Sequence, residues 1–126
     1  MQFLILLCMI FAHIVDDFYL QGILAKMKQK QWWEENAPNA LYKHDYIIAL
    51  IIHAISWSCM IMAPAILFKL PTIKLAMIII LFIFNVITHA NIDNQKANVH
   101  NINLIQDQLI HLGQIIWTWI GLVILQ

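Results

Sequence analysis

The sequence predicts an all-α fold: a four-helix transmembrane bundle with an interfacial segment between helices one and two. Three observations predict it. Apolar residues make up 62% of the 126 and charged residues 11%, against roughly 45–50% and about 25% in ordinary soluble domains. The apolar residues gather in four long stretches, about 2–20, 46–69, 73–92 and 104–125. At about 1.5 Å of rise per residue, each can cross a hydrocarbon core about 30 Å thick. Backbone groups in lipid must be satisfied internally, so these stretches are expected to be helices rather than strands. The length fits one domain, residues 1–126.

The first stretch, "MQFLILLCMIFAHIVDDFYL", has no basic leader or small-residue cleavage site and reads as a retained helix. The connection that follows, 21–45, is the longest. In it Lys26, Lys28 and Lys30 precede Trp32 and Trp33, as in a segment lying along a headgroup surface. His44 and Asp45 read as the start of helix two, and Pro64 is expected to kink that helix near its far end. "KLPTIK", 69–74, reads as a tight hairpin with Pro71 at or just before the next helix. The Asn-rich stretch 94–103 reads as a polar loop, with His100 solvated and Asn103 as the N-cap of helix four. Trp117 and Trp119 read as interfacial anchors, and Cys8 and Cys59 as small packing residues.

Net charge is zero and arginine is absent, which argues against a nucleic-acid partner. Lys26, Lys28, Lys30, Lys43 and Lys96 fall on one side of the expected bundle, and only Lys69 and Lys74 on the other. The positive-inside rule then places the first and third connections in the cytoplasm and both termini outside.

Polar groups interrupt the apolar stretches at one depth. His13/Asp17, His89/Asp93 and Asp107/His111 are each i,i+4 pairs, so each pair projects from one helix face. His53 enters at the same level from helix two, and all seven lie within two or three turns of the cytoplasmic face. An aspartate at the centre of a membrane helix costs about 2.5–3.5 kcal/mol, so these groups are expected to face the interior and meet a partner. For any one pair, a His–Asp hydrogen bond between helices is an equal reading. For the whole set, one or two divalent metal ions are expected, zinc first and manganese or iron next. His53 alone reads equally as a ligand or a packed core histidine. Asp16 reads either as a base near the metal or as an acid facing water.

"AHIVDDFYLQ" with Lys26 following, His53, "HANIDNQK" and "DQLIH" together resemble an uncharacterised family of small bacterial and phage membrane proteins, domain of unknown function 3307. Its pattern is HxxxDFxLQ in the first helix, HxxxD in a later one and DQxxH in the last. Asp16 is an extra acid against that pattern. The family is more distantly similar to predicted membrane-bound metal-dependent hydrolases, so the resemblance implies metal chemistry without a substrate.

The expected function is metal-dependent hydrolysis of a phosphoester in a lipid or lipid-linked substrate by metal-activated water. His13, Asp17, His53, His89, Asp93, Asp107 and His111 would hold the metal, and Gln21 and Gln108 would orient ligands or contact substrate. Lys26 and Lys96 would meet a phosphate at the cytoplasmic mouth. The expected setting is a bacterial cytoplasmic membrane, with lipids as partners and a homo-oligomer left open. Metal or proton transport and a metal-stapled structural protein are the alternatives. Transport needs polar groups reaching the far face, where the sequence offers almost none. Di-iron oxidation chemistry usually draws on glutamate, which none of the four stretches holds.

Overall fold

A computed structural model describes residues 1–69 and 72–125, and all its regular elements are helical. Helix α1, Gln2–Val15, continues into a π-helical turn, Asp16–Leu20. Two short helices follow, α2 at Leu24–Met27 and α3 at Lys30–Asn36, then a 3₁₀ turn at Ala40–Tyr42. Helix α4 spans Asp45–Lys69, and α5 spans Leu75–Asn94 with a π-helical turn at Gln95–Val99. Helix α6, Leu104–Trp119, also ends in a π-helical turn, Ile120–Ile124.

Each long helix buries one stripe. In α1 the buried residues are Ile5, Met9, Ala12 and His13, and in α5 they are Leu81, Asn85, His89 and Asp93. These spacings of three and four keep one face inward. Helix α4 sits between α1 and α5, and α6 closes against both of those helices. Outside the stripes the surface is apolar, with Ile79, Ile80, Ile83 and Ile87 exposed along α5 alone. Such a belt is far larger than water-soluble monomers expose. Three helical stretches, Gln2–Leu20, Ala40–Lys69 and Leu75–Val99, are long and apolar enough to cross a membrane. Helix α6, which carries Gln106, Asp107, Gln108, His111 and Gln114, is not among them.

The expected helices match these elements to within a few residues at their starts, and Asn103 caps α6 as expected. Its side chain accepts from Gln106 N at 3.0 Å while Gln106 Oε1 accepts from Asn103 N at 2.9 Å, a reciprocal capping box. Two expectations need correction or restriction. Residues 94–99 are helical rather than a loop, and the helix stops at His100, in the left-handed region at φ 59°. Pro64 lies inside α4, near its far end as expected, and the helix continues past it. Of the expected hairpin, Leu70 and Pro71 lie outside the described residues, and α5 begins at Leu75.

The connection from α1 to α4 turns at Gly22, whose φ of 53° suits a residue without a Cβ. It is then fastened to the end of α5. Asn98 Oδ1 accepts from Lys30 N at 2.7 Å, and Asn98 Nδ2 donates to Lys28 O at 3.0 Å. Trp33 Nε1 donates to Met27 O, and the Trp33 ring stacks on Tyr42. These contacts hold the connection across the end of the bundle where the expected ligands lie.

Candidate metal centre

Asp17 comes from the π-helical turn after α1, His53 from α4, His89 and Asp93 from α5, and His111 from α6. Around His53 Nε2 stand His89 Nε2 at 3.1 Å, Asp17 Oδ1 at 3.2 Å and Asp93 Oδ2 at 3.5 Å. His111 Nε2 lies 3.3 Å from Asp93 Oδ1, and His89 Nε2 lies 3.8 Å from that same oxygen. Ligand atoms held about 2.0–2.2 Å from one ion are separated from each other by roughly 3.0–3.5 Å, so this is the spacing of a coordination shell.

Hydrogen bonding alone does not account for the arrangement. A neutral imidazole nitrogen offers either one proton or one lone pair, yet His53 Nε2 also has Gln21 Nε2 at 3.2 Å. Among the described residues, His111 Nε2, Asp107 Oδ1, His89 Nδ1 and His111 Nδ1 are buried without a hydrogen-bond partner. Orphaned buried groups of this kind each cost about 1–3 kcal/mol. A cation at the convergence relieves the ligand-facing ones together. Two trios have suitably grouped ligand atoms, Asp17/His53/His89 and His89/Asp93/His111. They share His89, so the trios adjoin as parts of one cluster.

The remaining expected residues form a ring around it. His13 lies outside both trios with each ring nitrogen committed: Trp57 Nε1 donates to Nδ1 at 2.8 Å, so Nε2 carries the proton and donates to Gln108 Oε1 at 3.0 Å. Gln108 Nε2 in turn donates to Asp17 Oδ2 and to Asp107 Oδ2. Gln21 Nε2 donates to Asp17 Oδ1 at 3.3 Å. Two glutamines thus steer one carboxylate. Asp107 places Oδ1 3.3 Å from His111 Nε2, and its Oδ2 accepts from Lys96 Nζ.

Asp16 is not a water-facing acid. It is fully buried, its Oδ1 accepts from Ser56 Oγ at 2.7 Å, and its Oδ2 stands 3.7 Å from His53 Nδ1. It therefore lies behind a candidate ligand, the position from which carboxylates commonly orient a metal-bound histidine. The π-helical turn at Asp16–Leu20 belongs to a class of distortion common at functional sites. With it, adjacent acids approach the two nitrogens of one imidazole. Lys26 is exposed. The lysine that reaches the centre is Lys28, buried, with Nζ donating to Asp93 Oδ2 at 2.5 Å.

Sequence reasoning also missed Trp57, whose ring stacks on His89 with centroids 4.1 Å apart. It missed a polar extension below the centre as well. Asn85 Nδ2 donates to Thr118 Oγ1 at 2.9 Å, and Gln114 Nε2 donates to Asn85 Oδ1 at 3.1 Å. The polar groups therefore continue at least one turn deeper than the histidines. A usable signal was present: Asn85 is four residues before His89, and Gln114 and Thr118 follow His111 at helical spacing.

A family model described as "Protein of unknown function (DUF3307)" matches residues 5–126. No curated protein and no solved structure matches the chain.

Proposed function

This chain belongs to the DUF3307 family of proteins of unknown function, and we propose that it is a membrane-embedded, metal-dependent phosphoester hydrolase acting on a lipid or lipid-linked substrate. The observation that carries the reading is two adjoining trios of ligand groups, Asp17/His53/His89 and His89/Asp93/His111, beside a cleft that opens at the polar end of the bundle. Asp16, Asp17, Asp93 and Asp107 outnumber Lys28 and Lys96 here, an excess of acids that a divalent cation would offset. A trio of imidazole and carboxylate ligands with an open position suits zinc, and manganese or iron after it.

The residues divide the work. Asp17, His53, His89, Asp93 and His111 would supply the ligands, and Asp16 stands behind the ring of His53. Gln21 and Gln108 fix Asp17, while Asp107 faces His111. A divalent ion in this shell supplies a Lewis acid and an activated water. In the reaction, the water oxygen bonds to phosphorus, the ester P–O bond breaks, and the water's proton leaves on the alcohol. Helix α6 is the fourth crossing in this reading, its buried Asp107, His111, Gln114 and Thr118 turned inward and Leu109, Ile116 and Trp117 turned to lipid. The lysine distribution supports a centre near the cytoplasmic face of a bacterial inner membrane, with both termini outside.

Metal or proton transport is the second reading, favoured by the Asn85–Gln114–Thr118 extension. Labelled phospholipids and isoprenyl phosphates incubated with the purified protein, with and without chelator, separate the two. Hydrolysis predicts release of phosphate that stops on chelation. Bound metal with no cleavage of any of these esters would move the assignment to transport or stapling.

A further inference from the structure

The cleft beside the centre has about 360 Å³, near the small end for ligand sites. Asp17, Gln21 and Gln108 form the part nearest the metal ligands, and Lys28 and Lys96 also line it. Asp93 and Asp107 do not. Each of those acids instead accepts from the lysine in front of it. An acidic centre is in this way presented to the cleft behind ammonium groups. Phe18 and Leu104 line the same cleft and are more than half exposed, Phe18 at the end of a stretch able to cross a membrane and Leu104 at the start of α6.

The geometry points to a subsite for the terminal phosphate of a single-headed amphiphile, with Lys28 and Lys96 on the phosphate and the apolar chain leaving past Phe18 and Leu104. This rests on the reading of the centre given above and names the substrate class of that same site. A terminal phosphate has three unesterified oxygens and meets three positive partners here: Lys28, Lys96 and the ion behind Asp17. A diester has two such oxygens and carries a second substituent, which a cleft of this size does not favour. Lysine ammonium groups bind phosphate oxygens as compact, rotatable charges. Neither lysine has to be recruited from solvent, because each already stands between a carboxylate and the cleft.

Dodecylphosphonate carries the same head on an unhydrolysable carbon–phosphorus bond. Its binding to the purified full chain is measured by calorimetry in dodecyl maltoside, whose neutral head and matching tail are present in excess. Saturable binding is expected, weakened about tenfold or more in Lys28→Met and in Lys96→Met and retained in Lys96→Arg, with helical content unchanged by circular dichroism. Inorganic phosphate is expected to bind about tenfold more weakly or worse, because it lacks the tail. Equal affinity of the phosphonate for the wild type and both methionine variants would overturn the subsite. Phosphate binding as tightly as the phosphonate would overturn the amphiphile and leave a simple anion site. Metal content in the same samples keeps the two readings apart. A chain without metal that still takes the phosphonate through its lysines retains this inference and loses the hydrolase; a metal-loaded chain indifferent to the phosphonate does the reverse.

Discussion

Around Ile5, Ile61, Leu81 and Leu122 the helices meet mainly through apolar side chains, whereas between His13, His53, Asp93 and His111 the same helices face one another through imidazoles and carboxylates. The two regions are equally buried. At the apolar end the contacts are complete in themselves, since close packing asks for no partner beyond the neighbouring side chain. At the polar end the side chains are overcommitted, with one imidazole nitrogen confronting several polar atoms and other atoms left without partners. Burial by itself therefore identifies a core, and the balance of donors and acceptors shows which part of that core is arranged for something else. Substitutions at the two ends should separate along this line: one end controls cohesion and the other controls metal.

The largest effect is expected where both are disturbed. Asp93→Asn leaves Lys28 buried beside a neutral amide and should cost about 3–5 kcal/mol in unfolding assays. Adding Lys28→Met should recover most of that loss while leaving metal binding impaired. A double variant as unstable as the single one would break the pairing argument. Next is Leu122→Ala at the apolar end, where the side chain is fully buried. A loss of about 2 kcal/mol is expected, at the low end for leucine truncation because lipid replaces water around the separated helices. Its metal content should equal the wild type's, and a drop there would erase the contrast between the two ends.

Asp16→Asn keeps the bond from Ser56 and changes the charge behind His53. Metal competition titrations should then show affinity about 10–100-fold weaker; unchanged affinity would make Asp16 a structural acid only. The smallest effect is expected from Asn85→Leu, below the centre. Interhelical hydrogen bonds in membranes average about 0.6 kcal/mol, so stability should fall by about 1 kcal/mol with metal content intact. Loss of metal flux into proteoliposomes in this variant, at normal metal content, would favour the transport reading instead.

Much of this was legible in the sequence because lipid imposes few options. Apolar runs of membrane-spanning length placed the long helices, and i,i+4 spacing placed His89 with Asp93 and Asp107 with His111 on shared faces. What escaped depends on backbone phase. Gly22 turns the chain through a left-handed conformation and resets the helical register, so periodicity could not tell whether Lys26 or Lys28 turns inward. The π-helical turn at Asp16–Leu20 changes the phase of the residues after Asp16, whereas Asp16 itself stays helical, with its N–H on Ala12 O. Polarity made 94–99 look like a loop, although Asn98 uses its side chain to tie that helical turn to the backbone of Lys28 and Lys30. Trp57 escaped because its hydrogen bond to His13 crosses between helices, a pairing no local pattern records.

Elemental analysis of the purified chain beside a His89→Ala/Asp93→Ala double variant bears most directly on whether these groups share an ion. The account predicts a stoichiometric divalent metal in the wild type, one per chain, and none above background in a variant that keeps its helical content. The same metal content in both proteins would contradict it.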